Sequence, residues 1–208
     1  MPVKREGQCI IDVMIEGVDP LQFNRFTDAA KRSIEKGSTG VTKGEKVPGE
    51  VEAHNHGYFD AKDRPYIPVK SLFNCLIEAG TLIKKGRSKL TTTKTSLLPG
   101  LMWFIGREFP ILMRINGQGR YAPAKWRVEK AHPQTVMGER VTVHRPAFDE
   151  WLIKFKIGID SRNFSVVEAR ELIDMAGQFK GLGTERRGRK GTWGGFVVSE
   201  WKPEGVKE

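Results

Sequence analysis

Hydrophobic residues recur along the chain at two spacings, one typical of strands and the other typical of helices. Residues 8–18 form a β-branched apolar run, interrupted at Asp12 and Glu16, which predicts a buried first strand. Apolar positions then recur at helical spacing over residues 19–37, with Pro20 in the first turn, where its missing N–H costs no hydrogen bond. The pattern therefore predicts a strand followed by a helix at the start of the chain.

The middle of the chain is less regular. Residues 38–64 contain several glycines and only scattered apolar positions, which is typical of a long loop, and residues 47–53 are expected to form part of a short hairpin within it. Pro68 opens a second helix that should continue to Gly86. Further strands are predicted at residues 109–115, 125–130, 139–144 and 150–159, with Pro146 and Asp149 in the turn between the last two.

The C-terminal part carries the clearest local signals. Ser165 and Glu168 form a capping-box pattern ahead of an amphipathic helix, and a glycine-rich loop then leads to a closing strand. This order of elements indicates an α+β fold, with a ferredoxin-like or RRM-like split βαβ core and insertions at residues 38–64 and 87–131. Residues 1–208 would then form a single domain, and a mixed α+β sheet of another topology is the alternative.

The composition is that of a globular protein, with 38% hydrophobic and 29% charged residues. No apolar run approaches the ~20 residues that a membrane span needs, and the N-terminus lacks the apolar core of a signal peptide, so a cytoplasmic location without membrane contact is expected. Cys9 and Cys75 lie in apolar surroundings and are interpreted as buried thiols rather than as a disulfide framework.

The charge of the chain narrows its possible partners. Lys and Arg number 35 against 25 Asp and Glu, and the net charge of +10 favours a polyanion such as nucleic acid. The cations concentrate at residues 84–94, 120–130 and 180–190, and Trp126 lies inside the second of these clusters. Cations interleaved with aromatic residues suit a groove for single-stranded nucleic acid, because bases stack while phosphates pair with the cations. A solvated basic surface is the alternative for any one cluster.

The strongest local motif is the glycine-rich loop of residues 176–196, in which seven glycines surround Arg186, Arg187, Arg189 and Lys190. Glycine permits positive φ and close backbone approach, so this loop is expected to present N–H groups to a phosphate backbone. It is not a P-loop, because Arg189 stands at the position of the P-loop lysine and no strand precedes the loop. A flexible surface hairpin is the alternative interpretation.

The loop resembles the C-terminal loop of the RAMP superfamily, the RRM-like backbone and processing subunits of CRISPR ribonucleoproteins. The matching residues are Gly181-Leu182-Gly183, Arg186-Arg187-Gly188 and Trp193-Gly194-Gly195-Phe196. A second segment, residues 63–68 followed by Ser71-Leu72, is similar to the PyIPGSS segment of backbone subunits, where a helix N-terminus meets guide RNA. Val69-Lys70 and Asn74-Cys75-Leu76 depart from that pattern, and residues 87–147 have no counterpart. Short phage proteins have similar endings, so a phage-encoded relative outside CRISPR is an equal interpretation.

The resemblance implies an RRM-like sheet, sequence-independent RNA binding and self-assembly of chains along a strand, with residues 38–64 as a thumb-like loop. It also raises metal-dependent RNA cleavage, because some backbone subunits use a loop aspartate just upstream of the second segment. Asp60 and Asp63 are the candidates by position, although a lone carboxylate is a weak Mg²⁺ site and exposed loop aspartates are ordinary. No catalytic residue is therefore assigned.

The remaining groups that could bind a metal or act as a base lack a motif. His54 and His56 could be combined with Cys9 and Cys75 into a zinc site, but their spacing resembles no zinc finger and the cysteines belong to apolar elements. The two remaining histidines, which come later in the chain, lie in no pattern that marks a general base. The sequence therefore predicts neither a metal nor a cofactor.

Taken together, these features predict a non-catalytic, sequence-independent binder of single-stranded nucleic acid, RNA preferred over DNA, that lines up along the strand as a homo-oligomer or filament. A metal-dependent RNA endonuclease and a phage interaction protein that mimics a CRISPR subunit are the alternatives. The predicted nucleic-acid-binding residues are Lys70, Lys84, Lys85, Arg87, Lys89, Trp126, Arg127, Lys180, Gly181, Gly183, Arg186, Arg187, Arg189, Lys190 and Trp193.

Overall fold

The main feature of the structure, a computed structural model that describes residues 7–27, 35, 47–115, 119–132, 138 and 141–204, is a large antiparallel sheet. Within the described residues its strands are β1 (Gln8–Gly17), β3 (Tyr66–Pro68), β6 (Met102–Ile105), β7 (Glu108–Ile115), β8 (Arg120–Pro123), β11 (Leu152–Asp160) and β12 (Phe196–Pro203). Their order is β12-β1-β11-β7-β3, with β6 also paired to β11 and β8 also paired to β7. The first and last long strands of the chain are therefore neighbours.

The helices are α1 (Gly49–Asn55), α2 (Val69–Ala79), α3 (Leu98–Leu101) and α4 (Val166–Phe179) among the described residues. A small sheet contains β2 (Leu21–Gln22), β10 (Val143–Phe148) and β9 (Arg127–Ala131), in that order, and β4 (Lys84–Lys85) and β5 (Ser88–Lys89) form a short hairpin. The helices α2 and α4 pack against each other, and α4 also contacts β12. Nowhere in the described part of the chain is a helix long and apolar enough to span a bilayer.

The core lies between the main sheet and the pair of helices α2 and α4. Alternate residues of β1, including Ile11 and Ile15, are fully buried, as is Ile157 on the neighbouring β11. Leu72 of α2 and Leu172 of α4 belong to the same hydrophobic cluster. The period of two in the strands and of 3.6 in the helices thus directs both sets of apolar side chains into one core.

The predicted α+β class with a ferredoxin-like split βαβ core is confirmed. The core order is β1, α2, the pair β6 and β7, β11, α4 and β12, with β1 between β11 and β12. The strands β6 and β7 lie within the segment 87–131, for which the sequence predicts an insertion, yet both pair directly with β11. Part of that segment therefore belongs to the core sheet.

Several local predictions are confirmed. The strand predicted at residues 8–18 is β1, and the strand predicted at 109–115 is β7. The Ser165 hydroxyl accepts the Glu168 N–H, and the Glu168 carboxylate accepts the Ser165 N–H, so the capping box at the start of α4 is complete. These elements depend on contacts within a few residues of sequence, which is why the pattern alone predicted them.

The first predicted helix is wrong at its start. Leu21 and Gln22 pair with Phe148 and Ala147 of β10 as a short strand, because both residues are buried against that strand rather than on one side of a helix. Residues 23–27 are also not helical, and the rest of the predicted helix, apart from residue 35, lies outside the described residues.

Three other boundaries differ from the sequence predictions. Residues 47–53 were expected in a hairpin but enter the helix α1, which has Pro48 at its N-cap and acidic residues in its first turn. The helix α2 ends at Ala79 rather than at Gly86, because residues 84–89 turn back as a hairpin around Gly86, whose φ is +62°. Pro146 lies within β10 rather than in a turn.

Candidate nucleic-acid interface

A cleft of about 420 Å³ lies where the glycine-rich loop meets α2. The loop side of this cleft is formed by residues 181–186 and Arg189, and the helix side by Ser71, Asn74 and Cys75. Phe23, Asn24 and Tyr58 complete its lining. The structure therefore brings together the two segments that carried the family resemblance, although more than 100 positions separate them in sequence.

The contact between α2 and the loop is direct. The Cys75 thiol donates to the Gly181 carbonyl at 3.2 Å, and Arg186 Nη2 lies 2.5 Å from Glu78 Oε1. Burial raises the pKa of Cys75 to about 12, so this thiol is neutral and packs as a small side chain. These contacts fix the loop against the helix, and they confirm that Cys75 is buried, as the sequence predicted.

The glycines of the loop serve close packing of the backbone. Gly183 and Gly194 have φ values of +77° and +71°, and a Cβ at either position would overlap a carbonyl, that of Gln22 or of Leu182. The Thr184 N–H donates to Gln22 O and the Gly194 N–H to Pro20 O, and further N–H groups of the loop donate within it. The expectation that the loop presents its N–H groups to phosphates does not hold for these groups.

The four strongly basic residues of the loop divide into two pairs. Arg186 is paired with Glu78, and Arg187 contacts Asp19 at 2.7 Å, so both guanidiniums hold the loop in place. Arg189 and Lys190 are exposed and make no ion pair with any described residue. Because an unpaired exposed cation keeps its full capacity for a phosphate, Arg189 and Lys190 are the loop's best candidates for ligand contact.

The cations at residues 84–89 lie on a hairpin and not at the end of a helix. Lys85 is paired with Glu168 at 2.5 Å, whereas Lys84, Arg87 and Lys89 are exposed and have no ion-pair partner among the described residues. Of the other two predicted lysines, Lys70 is exposed in the first turn of α2 and Lys180 is half-buried at the end of α4.

The aromatic residues predicted to stack with bases lie in separate places. The Trp126 ring packs against the rings of Phe59 and His54, at centroid distances of 5.6 and 6.3 Å. The next residue, Arg127, is held by Asp149 at 2.9 Å and also by Glu129. Trp193 lines a second hollow of about 320 Å³, which shares the lining residue Glu185 with the cleft.

Sequence reasoning missed part of the cleft lining. Asn24, Tyr58, Asn74 and Thr184 all line the cleft, and the Arg25 guanidinium lies 6.0 Å from the centre of the Tyr58 ring. The sequence predicts Gly181, Gly183, Arg186 and Arg189 of the lining as binding residues, and Ser71 as part of the segment that resembles backbone subunits. No local pattern distinguishes the missed residues, because they come from four distant parts of the chain that meet only in the folded protein.

The candidate catalytic aspartates are both engaged in local contacts. Asp60 accepts the N–H groups of Lys62 and Arg64, and the hydrogen bond from the Arg64 side chain is the main cause that lowers the pKa of Asp60 to about 2. Asp63 Oδ1 lies 2.6 Å from His54 Nε2. Within the described residues, no three His, Cys, Asp or Glu side chains are grouped as a metal site would require.

The sheet surface opposite the core is covered by charged pairs. Lys154 Nζ lies 3.6 Å from the centre of the Tyr121 ring, Lys156 contacts Asp12 at 3.0 Å, and Arg114 is paired with Glu16. We call this surface the open sheet face. RRM domains stack bases on aromatic residues of this face. Here the Tyr121 ring is covered by Lys154, and the half-buried Trp103 ring lies over Gly158. The cleft joins the two motif segments and is the candidate for ligand binding.

Comparison with known proteins agrees with this architecture. No protein-family model matches the chain, and no curated protein sequence matches it. Among solved structures, a chain in the cryo-EM structure of the Type III-B Cmr-beta bound to cognate target RNA aligns over 95% of this chain, with a TM-score of 0.51 and 13% identity. The two chains share a fold. This likeness supports the RAMP-like fold that the two motifs imply.

The aligned region is only part of the Cmr-beta chain, of which this protein spans 61% of the length. The crystal structure of Cmr6 from Pyrococcus furiosus also aligns, over 93% of this chain and 100% of that chain, with a TM-score of 0.45 and 9% identity.

Proposed function

We propose that this protein binds single-stranded nucleic acid without sequence specificity, RNA in preference to DNA, through the cleft between the glycine-rich loop and α2. The observation that carries the proposal is the convergence of these two segments, with Arg189 in the cleft, where it has no ion-pair partner among the described residues, and the exposed Lys190 next to it in sequence. The Cmr-beta structure that shares the fold is bound to RNA, which supports the same class of ligand here.

The preference for RNA follows from the polar side chains of the cleft. Asn24, Ser71, Asn74 and Thr184 supply hydroxyl and amide groups within the lining. Such groups can donate to and accept from a ribose 2′-hydroxyl, which DNA lacks. Outside the cleft, the net charge of +10 and the exposed cations of the 84–89 hairpin attract the phosphates of either nucleic acid.

We assign two roles to the predicted binding residues. Arg186, Arg187, Gly181 and Gly183 shape and anchor the loop, while the exposed cations contact phosphates. The contact residues are the exposed Lys70, Lys84, Arg87, Lys89, Arg189 and Lys190 and the half-buried Lys180. Lys85 and Arg127 are cations already paired with carboxylates, and Trp126 and Trp193 supply aromatic surfaces. Residues 1–208 act in this proposal as one nucleic-acid-binding domain.

We also propose that several copies line up on a long strand. Within the described residues β12 lies at one edge of the main sheet, and an edge strand offers unpaired backbone groups to a neighbouring chain. The protein would then act as a backbone-subunit-like RAMP protein of a CRISPR ribonucleoprotein, or as a phage-encoded relative. An interaction protein that mimics such a subunit is the alternative, and it would bind a protein complex but little free RNA.

A binding panel tests this function. We expect fluorescence anisotropy to show that the protein binds single-stranded RNA more tightly than single-stranded DNA, and both more tightly than duplexes. The affinity should fall with salt at a log–log slope of about −0.7 for each phosphate contacted. On longer RNA, complexes should grow with strand length. Equal affinity for all of these ligands, or one protein for each strand at every length, would contradict the proposal.

We expect no cleavage of bound RNA in Mg²⁺ or Mn²⁺. Asp60 closes the turn of residues 60–64 and Asp63 is paired with His54, so neither carboxylate is free to hold an ion against a phosphate. Gel analysis of end-labelled RNA over several hours checks this expectation. Regularly spaced fragments that disappear in Asp60→Ala or Asp63→Ala would instead assign the protein to the metal-dependent endonucleases.

A further inference from the structure

We propose that the hollow beside Trp193 binds one unstacked base of the strand whose phosphates contact the cleft, an inference that rests on the proposed function. This hollow, the Trp193 hollow, has a volume of about 320 Å³ and is lined by Gln22, residues 129–132, Glu185 and Trp193. It lies within the size range of pockets that take small organic groups. Its lining combines an aromatic ring with both donors and acceptors.

The polar groups behind the Trp193 hollow are fixed by a buried arginine. Arg145, on β10, is only 4% exposed, and its Nη1 donates to Glu185 Oε1 at 3.1 Å and to Gln22 Oε1 at 3.4 Å. Its Nε has no hydrogen-bond partner within the described residues. Burying a guanidinium with an unsatisfied N–H costs stability, so the arrangement is explained better as a support for Glu185 and Gln22 than as core packing.

Glu185 connects the Trp193 hollow to the cleft. Glu185 lines both, and its carbonyl accepts the Trp193 N–H at 3.1 Å, so the Trp193 backbone is held beside it. Glu185 also has a φ of +53°, which is unusual for a residue other than glycine, and such strain is often found at ligand-binding sites. A nucleic-acid strand that crosses Glu185 would place a phosphate near Arg189 and the attached base over Trp193.

The composition of the hollow favours a base over a phosphate. The carboxylates of Glu129 and Glu185 are paired with Arg127 and Arg145, and they offer a phosphate no hydrogen-bond donor. Their remaining lone pairs can accept hydrogen bonds from the N–H groups on the edge of a base. Lys130 and His132 can donate to ring nitrogens and carbonyl oxygens of the same base. Unpaired bases in single-stranded RNA are commonly held by stacking on an aromatic ring while their edges form hydrogen bonds.

Binding of two matched decamers tests the proposal: single-stranded RNA, and an abasic strand with the same ribose-phosphate backbone. We expect Trp193→Ala to weaken binding of the RNA decamer about tenfold, as expected for loss of one stacked base, and to leave the affinity for the abasic decamer unchanged. Trp193→Phe keeps an aromatic surface and should retain most of the affinity, but it should lose most of the RNA-dependent quenching of tryptophan fluorescence. Trp201→Phe, on β12, is the matched control and should keep that quenching.

The outcomes separate this inference from the proposed function. Wild-type protein that binds both decamers equally and with a strong salt dependence would overturn the base pocket and leave the proposed function intact. An equal loss of affinity for both decamers in Trp193→Ala, with quenching retained in Trp193→Phe, would also overturn the base pocket. If wild-type protein binds neither decamer, both the base pocket and the proposed function are wrong.

Discussion

The double substitution Arg189→Gln and Lys190→Gln should weaken binding of single-stranded RNA about 25-fold at 0.1 M salt, because two phosphate contacts and their released counterions are lost. The log–log slope of affinity against salt should become less negative by about 1.4. Both residues are exposed and unpaired within the described residues, so their replacement leaves the loop contacts intact. Anisotropy titrations at several salt concentrations measure both quantities.

The control removes the same charge from another surface. Lys154→Gln and Lys156→Gln together lower the net charge by two on the open sheet face, and they should change RNA affinity little. Arg186 and Arg187 are unsuitable for this comparison, because their loss would release the loop from Glu78 and Asp19. Equal losses in the two double variants would show that binding depends on net charge and not on the glycine-rich loop.

The substitution Gly177→Ala should destabilise the protein by about 1–3 kcal/mol, the range typical of an overpacked core. Alanine in the middle of a helix normally adds roughly 0.5–1 kcal/mol of stability relative to glycine. Here, however, a Cβ at Gly177 would overlap the Phe196 carbonyl, where α4 packs on β12. Urea unfolding followed by circular dichroism measures the change in the free energy of unfolding.

Gly100→Ala is the matched control for this prediction. Gly100 lies in the short helix α3, and a Cβ there would meet no atom within 4 Å. This variant should be neutral or slightly stabilising. Gly177→Ala with wild-type stability would mean that α4 and β12 are less closely packed than the structure shows. Since the glycine-rich loop joins these two elements, a shift of β12 should also weaken RNA binding.

The elements predicted well from sequence are those stabilised by neighbours in sequence. The capping box at Ser165 and Glu168 marks the start of α4, and the apolar pattern of residues 8–18 marks β1. The predictions of α4 and β1 depend on a cap or a period that is complete within one element. The ferredoxin-like core was also predicted, but among the described residues its first helix is α2 rather than residues 19–37, and β6 and β7 from the supposed insertion pair with β11.

The predictions that were wrong concern elements whose structure depends on residues distant in sequence. Leu21 and Gln22 form a strand because β10 lies beside them, more than 120 positions later in sequence. The helix α2 ends at Ala79, and the next residue, Gly80, is packed so closely against Thr91 that a Cβ would overlap that side chain. Hydrophobic spacing cannot anticipate such contacts, because it describes which residues avoid water and not what covers them.

The sequence by itself determined the basic charge of the protein, the glycine content of its C-terminal loop and the two motifs that line the cleft. Only the tertiary structure decided which cations remain available for a ligand. Arg186 and Arg187 are neighbours of Arg189 in sequence, yet they are paired with Glu78 and Asp19, at sequence separations of 108 and 168 residues. Ion pairing depends on the distance between charges in space, so a cluster of cations in sequence does not show which of them the fold has already paired.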